Sequence, residues 1–281
     1  MSTWRALRFR DGELVLDHTV LVGVVNVTPD SFSDGGKFLD PTAAVDHAVR
    51  LADEGAEILD VGGESTKPGA DAVPAEEEWR RVGPVLRALR SKTGARISID
   101  TYKPEIAAKA LSLGADMVND VTGLRDEAMI RLVARARVPV IVMHMKGTPK
   151  TMQKDPTYED VVAEILQFLR ERTTAAVAAG VDAGALVVDP GIGFGKRPEH
   201  NTQILERLDE FRRLDYPILV GASRKSFLGA FGGGDPGQRL EASIAAAVLA
   251  VGRGADLVRV HDVAATAKAI RIADAVVRKP R

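Results

Sequence analysis

Ile97 to Val121 reads ISIDTYKPEIAAKALSLGADMVNDV, and the whole fold can be worked outward from it. Ile97 to Thr101 and Met117 to Val121 are short runs with β preference. Between them, Pro104 to Gly114 sets its apolar residues at helical spacing, and Gly114 ends the helix. The same alternation continues in both directions. Leu21 to Thr28, Ile58 to Gly63, Pro139 to Met145, Leu186 to Ile192, Pro217 to Ser223 and Leu257 to Asp262 bring the strands to eight. They are dominated by Val, Ile and Leu with little strict alternation, as expected of parallel strands buried on both faces. Thr42 to Gly55, Tyr158 to Gly180 and Arg239 to Gly252 are further helices between them. In the first, Ala43, Ala44, His47, Ala48, Leu51 and Ala52 form the apolar stripe, and Asp46, Arg50, Asp53 and Glu54 form the wet face; Gly55 and Gly180 are stop signals.

Eight strand-helix alternations in 281 residues favour an α/β fold of one kind, the closed (β/α)8 TIM barrel, with an open doubly wound sheet second. Leu7 to Leu16 reads as strand, Asp11-Gly12 turn and strand, a β-hairpin expected to plug the barrel's amino-terminal end. No linker divides the chain, so 1–281 is expected to be a single domain, and the stretch from Gly232 to Gly237 is read as a surface loop between a strand and its helix.

The 45% hydrophobic content suffices for one large core, and a net charge of −1 gives no general attraction for nucleic acid or an anionic membrane. Cys is absent, which removes disulfide and thiolate chemistry and fits an intracellular setting. Met1 to Arg10 lacks the apolar core of a signal peptide, and no apolar run approaches the roughly 20 residues of a membrane helix. A cytoplasmic, soluble protein is expected.

In a β/α barrel, chemistry gathers where the strands end. In order, those ends carry Asn26, Asp60 with Glu64, Asp100, Asn119 with Asp120, His144, Asp189, Ser223 with Arg224 and Lys225, and Arg259 with His261. Each has an ordinary structural reading as a helix cap or a satisfied histidine. Together they are harder to account for in that way. Carboxylates, amides and cations converging on one rim suit a ligand with a hydrogen-bonding heterocycle and an anionic tail.

The segments NVTPDSFSDGG (Asn26 to Gly36), DVGGEST (Asp60 to Thr66), SIDT (Ser98 to Thr101), VND (Val118 to Asp120), MHMKGTPKTMQ (Met143 to Gln153), DPGIGFGK (Asp189 to Lys196), GASRKSFLG (Gly221 to Gly229) and RVHDV (Arg259 to Val263) resemble those of the dihydropteroate synthases. They run in order over about 240 of 281 residues, which is far more specific than an isolated motif. One position departs from the family pattern. Lys67 stands where members usually have Arg, keeping the charge and losing the bidentate fork.

The resemblance implies joining of a pterin pyrophosphate to p-aminobenzoate in folate biosynthesis, a homodimer, and Mg2+ accompanying the pyrophosphate. It implies a pterin pocket of Asp100, Asn119, Met143, Asp189, Phe194, Lys225 and Arg259, and a pyrophosphate site of Asn26, Thr66, Arg259 and His261. Asn26 would stand near the metal. Phe32, Thr66, Lys67, Pro68 and Ser226 would meet p-aminobenzoate, with Ser226 opening a helix whose amino terminus favours an anion. Asp34, Asp100, Lys225 and Arg259 would act in catalysis, the carboxylates stabilising a pterin cation formed as pyrophosphate departs. Thr28 to Phe38 and Ser65 to Ala72 are read as loops that order around ligand. Ala245, Val248, Leu249, Ala273, Val276 and Val277 are candidate dimer contacts that could as well pack on the barrel. Two other functions compete: a pterin-dependent methyltransferase sharing barrel and pocket, and a paralogue that binds pterin without catalysis.

Overall fold

A computed structural model describes residues 5–28, 41–232 and 234–278. The hairpin β1 (Ala6–Phe9) and β2 (Gly12–Val15) is antiparallel. Eight parallel strands follow: β3 (Val20–Asn26), β4 (Ile58–Gly62), β5 (Arg96–Asp100), β6 (Met117–Asp120), β7 (Val140–Met143), β8 (Leu186–Asp189), β9 (Leu219–Val220) and β10 (Leu257–Val260). Their order is β8-β7-β6-β5-β4-β3-β10-β9. Its two ends meet: Ile218, just before β9, bridges Val188 of β8, and Val188 N donates to Pro217 O at 2.9 Å. The sheet is therefore a closed barrel.

Helices lie between the strands: α1 (Pro41–Asp53), α2 (Ala75–Leu89), α3 (Pro104–Ser112), α4 (Glu127–Ala136), α5 (Val161–Ala178), α6 (Pro198–Glu206), the single turn α7 (Ser226–Gly229), α8 (Leu240–Gly252) and α9 (Val263–Val277). Gly55, Gly114 and Gly180 follow their helices at φ +111°, +94° and +96°, a conformation that costs glycine little. The fifth helix starts later than its apolar pattern implies. Asp160 accepts from Val162 N at 2.9 Å and Ala163 N at 3.0 Å, and this cap starts the helix at Val161 rather than Tyr158.

Strand side chains alternate between two faces, and this alternation builds the site. Val20, Val22, Ile58, Met117, Ile141, Val187 and Leu257 point into the barrel, where they pack on Leu7, Phe9 and Leu16 from and beside the hairpin. Leu21, Leu59, Ile99, Val118 and Val258 point outward to the helix layer. Two residues above the inner apolar layer, the same inward face carries Asp60, Asn119, Met143, Asp189 and Arg259. Register aligns the rim: Asn26 pairs with Gly62, Gly62 with Asp100, Asp100 with Asn119, and Met143 with Asp189.

Three local expectations shift. The hairpin pairs Phe9 with Gly12, so the turn is Arg10-Asp11, held where Arg96 grips the Asp11 carboxylate at 2.8 Å. β8 ends at Asp189 because Pro190 has no N–H for the ladder and Gly191 turns at φ +70°. β9 shrinks from the expected 217–223 to Leu219–Val220, since the chain leaves the ladder to form the turn through Arg224 at φ 58°. The glycine-rich 232–237 stretch lies between β9 and α8 as expected, with α7 before it; Gly233 is outside the described residues.

Candidate active site

Arg259, inward on β10, reaches across the barrel to two carboxylates. Its Nε donates to Asp60 Oδ2 at 2.6 Å and its Nη2 to Asp100 Oδ2 at 2.9 Å. Asn119 Nδ2 donates to the same Asp60 oxygen at 2.9 Å. Burial, then the neighbouring charge of Asp60, raises the Asp100 carboxyl to about 8 against the pull of Arg259. One cation thus serves two buried acids, and the ligand-free cluster holds a proton at neutral pH.

Asp189 sits beside this cluster at the head of a glycine-rich turn. It is buried, and its Oδ1 accepts from Gly191 N at 2.6 Å. Burial raises this carboxyl, opposed by Lys225, the Gly191 amide and Lys196. Lys225 donates to the Ile192 carbonyl and lies 4.3 Å from the Phe194 ring centroid. Its ammonium is pushed down to about 7 by burial, with Asp189 resisting. The turn must approach other backbone closely. A Cβ on Gly191 would lie 1.9 Å from His144 O, and one on Gly195 would lie 2.4 Å from Lys146 O. Met143 and Phe194 join the same apolar cluster with Val121, Met145, Met152 and Tyr102, giving the site a greasy wall.

At the anion end, His261 N donates to Ser223 Oγ at 3.2 Å, and His261 Nδ1 lies 3.1 Å from the same hydroxyl. A hydroxyl that accepts from the amide can give its own proton to Nδ1, leaving the ring proton on Nε2 as a donor. Burial, then Arg259 and Arg224, lowers His261 to about 3, so the ring is neutral at physiological pH. Arg224 is turned away to Asp262, at 3.0 and 2.5 Å. Asn26 ends β3 half-buried on the inward face. Ser226 is exposed, and α7 behind it is one turn long, too short for the expected macrodipole to carry the anion reading.

The loop after β4 is firm at its base and open at its tip. Tyr102 donates to Glu64 at 2.9 Å, Lys103 bridges Glu64 and the buried Glu78, and Arg81 donates to Gly63 O at 2.9 Å. Glu64 is therefore committed to the scaffold. Beyond it Thr66 is half-buried, and Lys67 and Pro68 are exposed. The tip touches the loop after β7 through Gly69 N to Pro149 O at 3.0 Å and Lys150 to Asp71 at 2.7 Å. Phe32 and Asp34 lie outside the described residues.

The arrangement has known counterparts. The pterin binding enzyme family matches residues 22–261, from inside β3 to just past β10. The chain belongs to the pterin-binding enzyme family. The dihydropteroate synthase of Neisseria meningitidis serogroup B is 46% identical over 280 residues, 97% of each chain. A Xanthomonas albilineans dihydropteroate synthase solved with 4-aminobenzoic acid superposes with a TM-score of 0.92 at 49% identity, over 98% of each chain. The enzyme from the same organism in complex with 7,8-dihydropteroate gives 0.86 at 48% identity, over 94% of this chain and 95% of that one.

Pattern reading named Asp60 and His144 among the strand ends without giving either a role, and did not single out Lys196. Asp60 was visible only as a strand-end acid, yet it ties Arg259 to Asn119. Lys196 is buried, with its Nζ 2.9 Å from His144 Nδ1 and 3.0 Å from Phe194 O; burial lowers both Lys196 and His144. Spacing from the inward Ile58 would have flagged Asp60. Nothing in the sequence ties Lys196 to His144. Among the described residues no group of three His, Asp or Glu side chains could hold a metal.

The Asp100 shift has a definite sign in stability. Its folded pKa, about 8, lies above the unfolded value, so its contribution is complete below the ordinary carboxylate range and is lost as pH rises towards 8. We predict that Asp100→Asn, whose amide oxygen can still accept from Arg259, flattens this fall. At about pH 8 it should be more stable than the parent by about 1 kcal/mol or more. Urea unfolding of the ligand-free proteins across this range reads the difference, and parallel pH curves would place the proton elsewhere.

Proposed function

We propose that this chain condenses 6-hydroxymethyl-7,8-dihydropterin pyrophosphate with p-aminobenzoate, giving 7,8-dihydropteroate and pyrophosphate, a transferase step of folate biosynthesis. The observation that carries this reading is the junction on one rim of a buried carboxylate pocket with a cationic end: Asp189, Asn119 and Lys225 beside Arg259 and His261. Relatives spanning almost the whole chain carry the dihydropteroate synthase name.

In this reaction the pterin's donor-rich edge faces Asp189, with Asn119 and Asp100 along the ring, Lys225 donating to its carbonyl side, and Met143 and Phe194 as apolar walls. Arg259, His261, Thr66 and Asn26 receive the pyrophosphate. The methylene carbon–oxygen bond breaks with its electron pair leaving on pyrophosphate, and the amine nitrogen of p-aminobenzoate then attacks the cation and loses a proton. This order is dissociative. Asp34 stabilises the cation, joined by Asp100 once the cluster has given up its proton, and no covalent enzyme intermediate is needed. Phe32, Thr66, Lys67, Pro68 and Ser226 hold p-aminobenzoate.

Mg2+ fits the donor chemistry in a limited way: Asn26 offers one hard amide oxygen on the inward face, and the substrate's phosphates would supply others. When bound, the ion would neutralise phosphate charge. A cytoplasmic setting suits the absence of cysteine, and no helix among the described residues is long and apolar enough to cross a membrane. A homodimer through α8 and α9 is supported by exposed Leu249, Ile272, Val276 and Val277; Ala273 instead packs on the barrel.

Pyrophosphate release that requires both substrates tests the reaction, and its absence would overturn this reading. Within it, Asp189→Asn should weaken bare dihydropterin by about 1 to 3 kcal/mol, because a ring donor is left facing an amide donor. Arg259→Ala should cost the pyrophosphorylated substrate about 1.5 to 3 kcal/mol and the bare pterin less. Calorimetry with both ligands compares them; equal losses in both variants would reject two separate subsites. Lys67→Arg is expected to lower or preserve the KM for p-aminobenzoate, and parental kinetics for Lys67→Ala would remove Lys67 from loop closure. Sedimentation should give the mass of two chains, with Leu249→Glu giving one.

A further inference from the structure

Asp60 is a fully buried carboxylate on the rim, and it receives donors from two other strands. It stands on β4, two residues above Ile58 of the apolar plug. Its Oδ2 takes Arg259 Nε from β10 at 2.6 Å and Asn119 Nδ2 from β6 at 2.9 Å. Among the described residues its Oδ1 has no hydrogen-bond partner, and neither does Ser98 Oγ, its register partner on β5. Arg259 and Asn119 belong to different halves of the site in the proposed function, the pyrophosphate end and the pterin pocket.

We infer that Asp60 is a positioning residue that sets both halves at once, fixing the plane of the Arg259 guanidinium and the orientation of the Asn119 amide. The inference rests on the proposed function for its ligands. An amide can be turned either way at little intrinsic cost. Here the carboxylate accepts only, so it selects the orientation with Nδ2 towards β4 and leaves the carbonyl oxygen to face a ligand N–H. For Arg259, Asp60 holds Nε and Asp100 holds Nη2, so the fork is pinned from two strands and its remaining N–H groups are aimed rather than free. A buried acceptor shared by two donors on different strands makes the two subsites one rigid unit.

The test separates positioning from general damage. Asp60→Ala removes the shared acceptor; Asp60→Asn keeps one oxygen for the two donors while removing the charge and replacing the other oxygen, Oδ1, by an NH2 donor. Calorimetry with 6-hydroxymethyl-7,8-dihydropterin and with inorganic pyrophosphate reads each half. Asp60→Ala should weaken both ligands about tenfold or more, and Asp60→Asn should restore much of the pterin affinity. In an Asn119→Ala background the Asp60→Ala loss should vanish for the pterin, and in an Arg259→Ala background it should vanish for pyrophosphate. Should Asp60→Ala fail to fold, Asp60→Asn carries the test, its pyrophosphate loss vanishing with Arg259→Ala. Both affinities within about twofold of the parent, or undiminished losses in those backgrounds, would overturn the inference. A parent protein that binds both ligands and releases no pyrophosphate with p-aminobenzoate would overturn the proposed reaction and leave the role of Asp60 readable by the same calorimetry.

Discussion

Arg259 between Asp60 and Asp100 is the contact on which the rest of the site depends. Its members come from β10, β4 and β5, which lie on one arc of the barrel in the order β5-β4-β3-β10, so it depends on the curvature that turns their inward faces towards one another. Burying three charges costs several kcal/mol per ion before their attraction is counted, and an unbalanced acid adds to that cost. The balance is met by protonation, since burial and Asp60 hold Asp100 up to about 8. Such a cluster is a poor source of stability. It is a good source of geometry, because one guanidinium fork matched to two carboxylates has few alternative arrangements.

The floor beside it is fixed by close backbone approach. From Asp189 to Lys196 the chain has glycines at 191, 193 and 195, all with positive φ, and the first and last approach the loop after β7 closely enough to exclude a side chain. Side-chain donors then close the turn from outside: Gln153 on Gly193 O at 2.8 Å and Tyr158 on Gly195 O at 2.7 Å. Phe194 is thereby presented to the rim without a helix or strand beneath it, whereas Asp189 ends β8. Lys225 reaches this turn from the segment after β9 and Lys196 closes it from its own end; both are stripped of water there, which is why both ammonium groups fall below their ordinary range.

Much of this was legible in the chain itself. Eight Val- and Ile-rich runs separated by amphipathic helices implied closure, and the hairpin's Leu7 and Leu16 do pack under the barrel. Strand ends identified Arg259, Asp189, Asn119, Asp100 and Asp60 as rim groups because a β/α barrel gathers its chemistry where the strands end. The failures have physical causes. β9 was overestimated because an apolar run shows burial and not ladder pairing, and Arg224 leaves the sheet with a left-handed φ that its residue type does not announce. Glu64, read with the other rim acids, is spent on Lys103 and Tyr102, a choice made by packing between β4, α2 and the start of α3. Which of two neighbouring acids faces the pocket is a tertiary fact.

Strand-borne and loop-borne residues consequently stand in different energetic positions towards a ligand. Asp60, Asp100, Asn119 and Arg259 are held by strand register and by one another, so the entropy of ordering them is spent when the barrel folds. Thr66, Lys67 and Pro68 lie between the contact at Glu64 and the bond from Gly69 N to Pro149 O, half-buried or exposed, and Lys67 makes no side-chain hydrogen bond or ion pair among the described residues. Exposed side chains there are less constrained than those on the strands, so part of the gain from any contact they make is offset by fixing them. A rigid inner half and an adaptable outer half fit a reaction with two substrates. The strand-borne groups are preformed, while those on the loop have room to adjust. The fold makes this division available because inward strand positions cannot move without breaking the barrel, whereas the loops above them can.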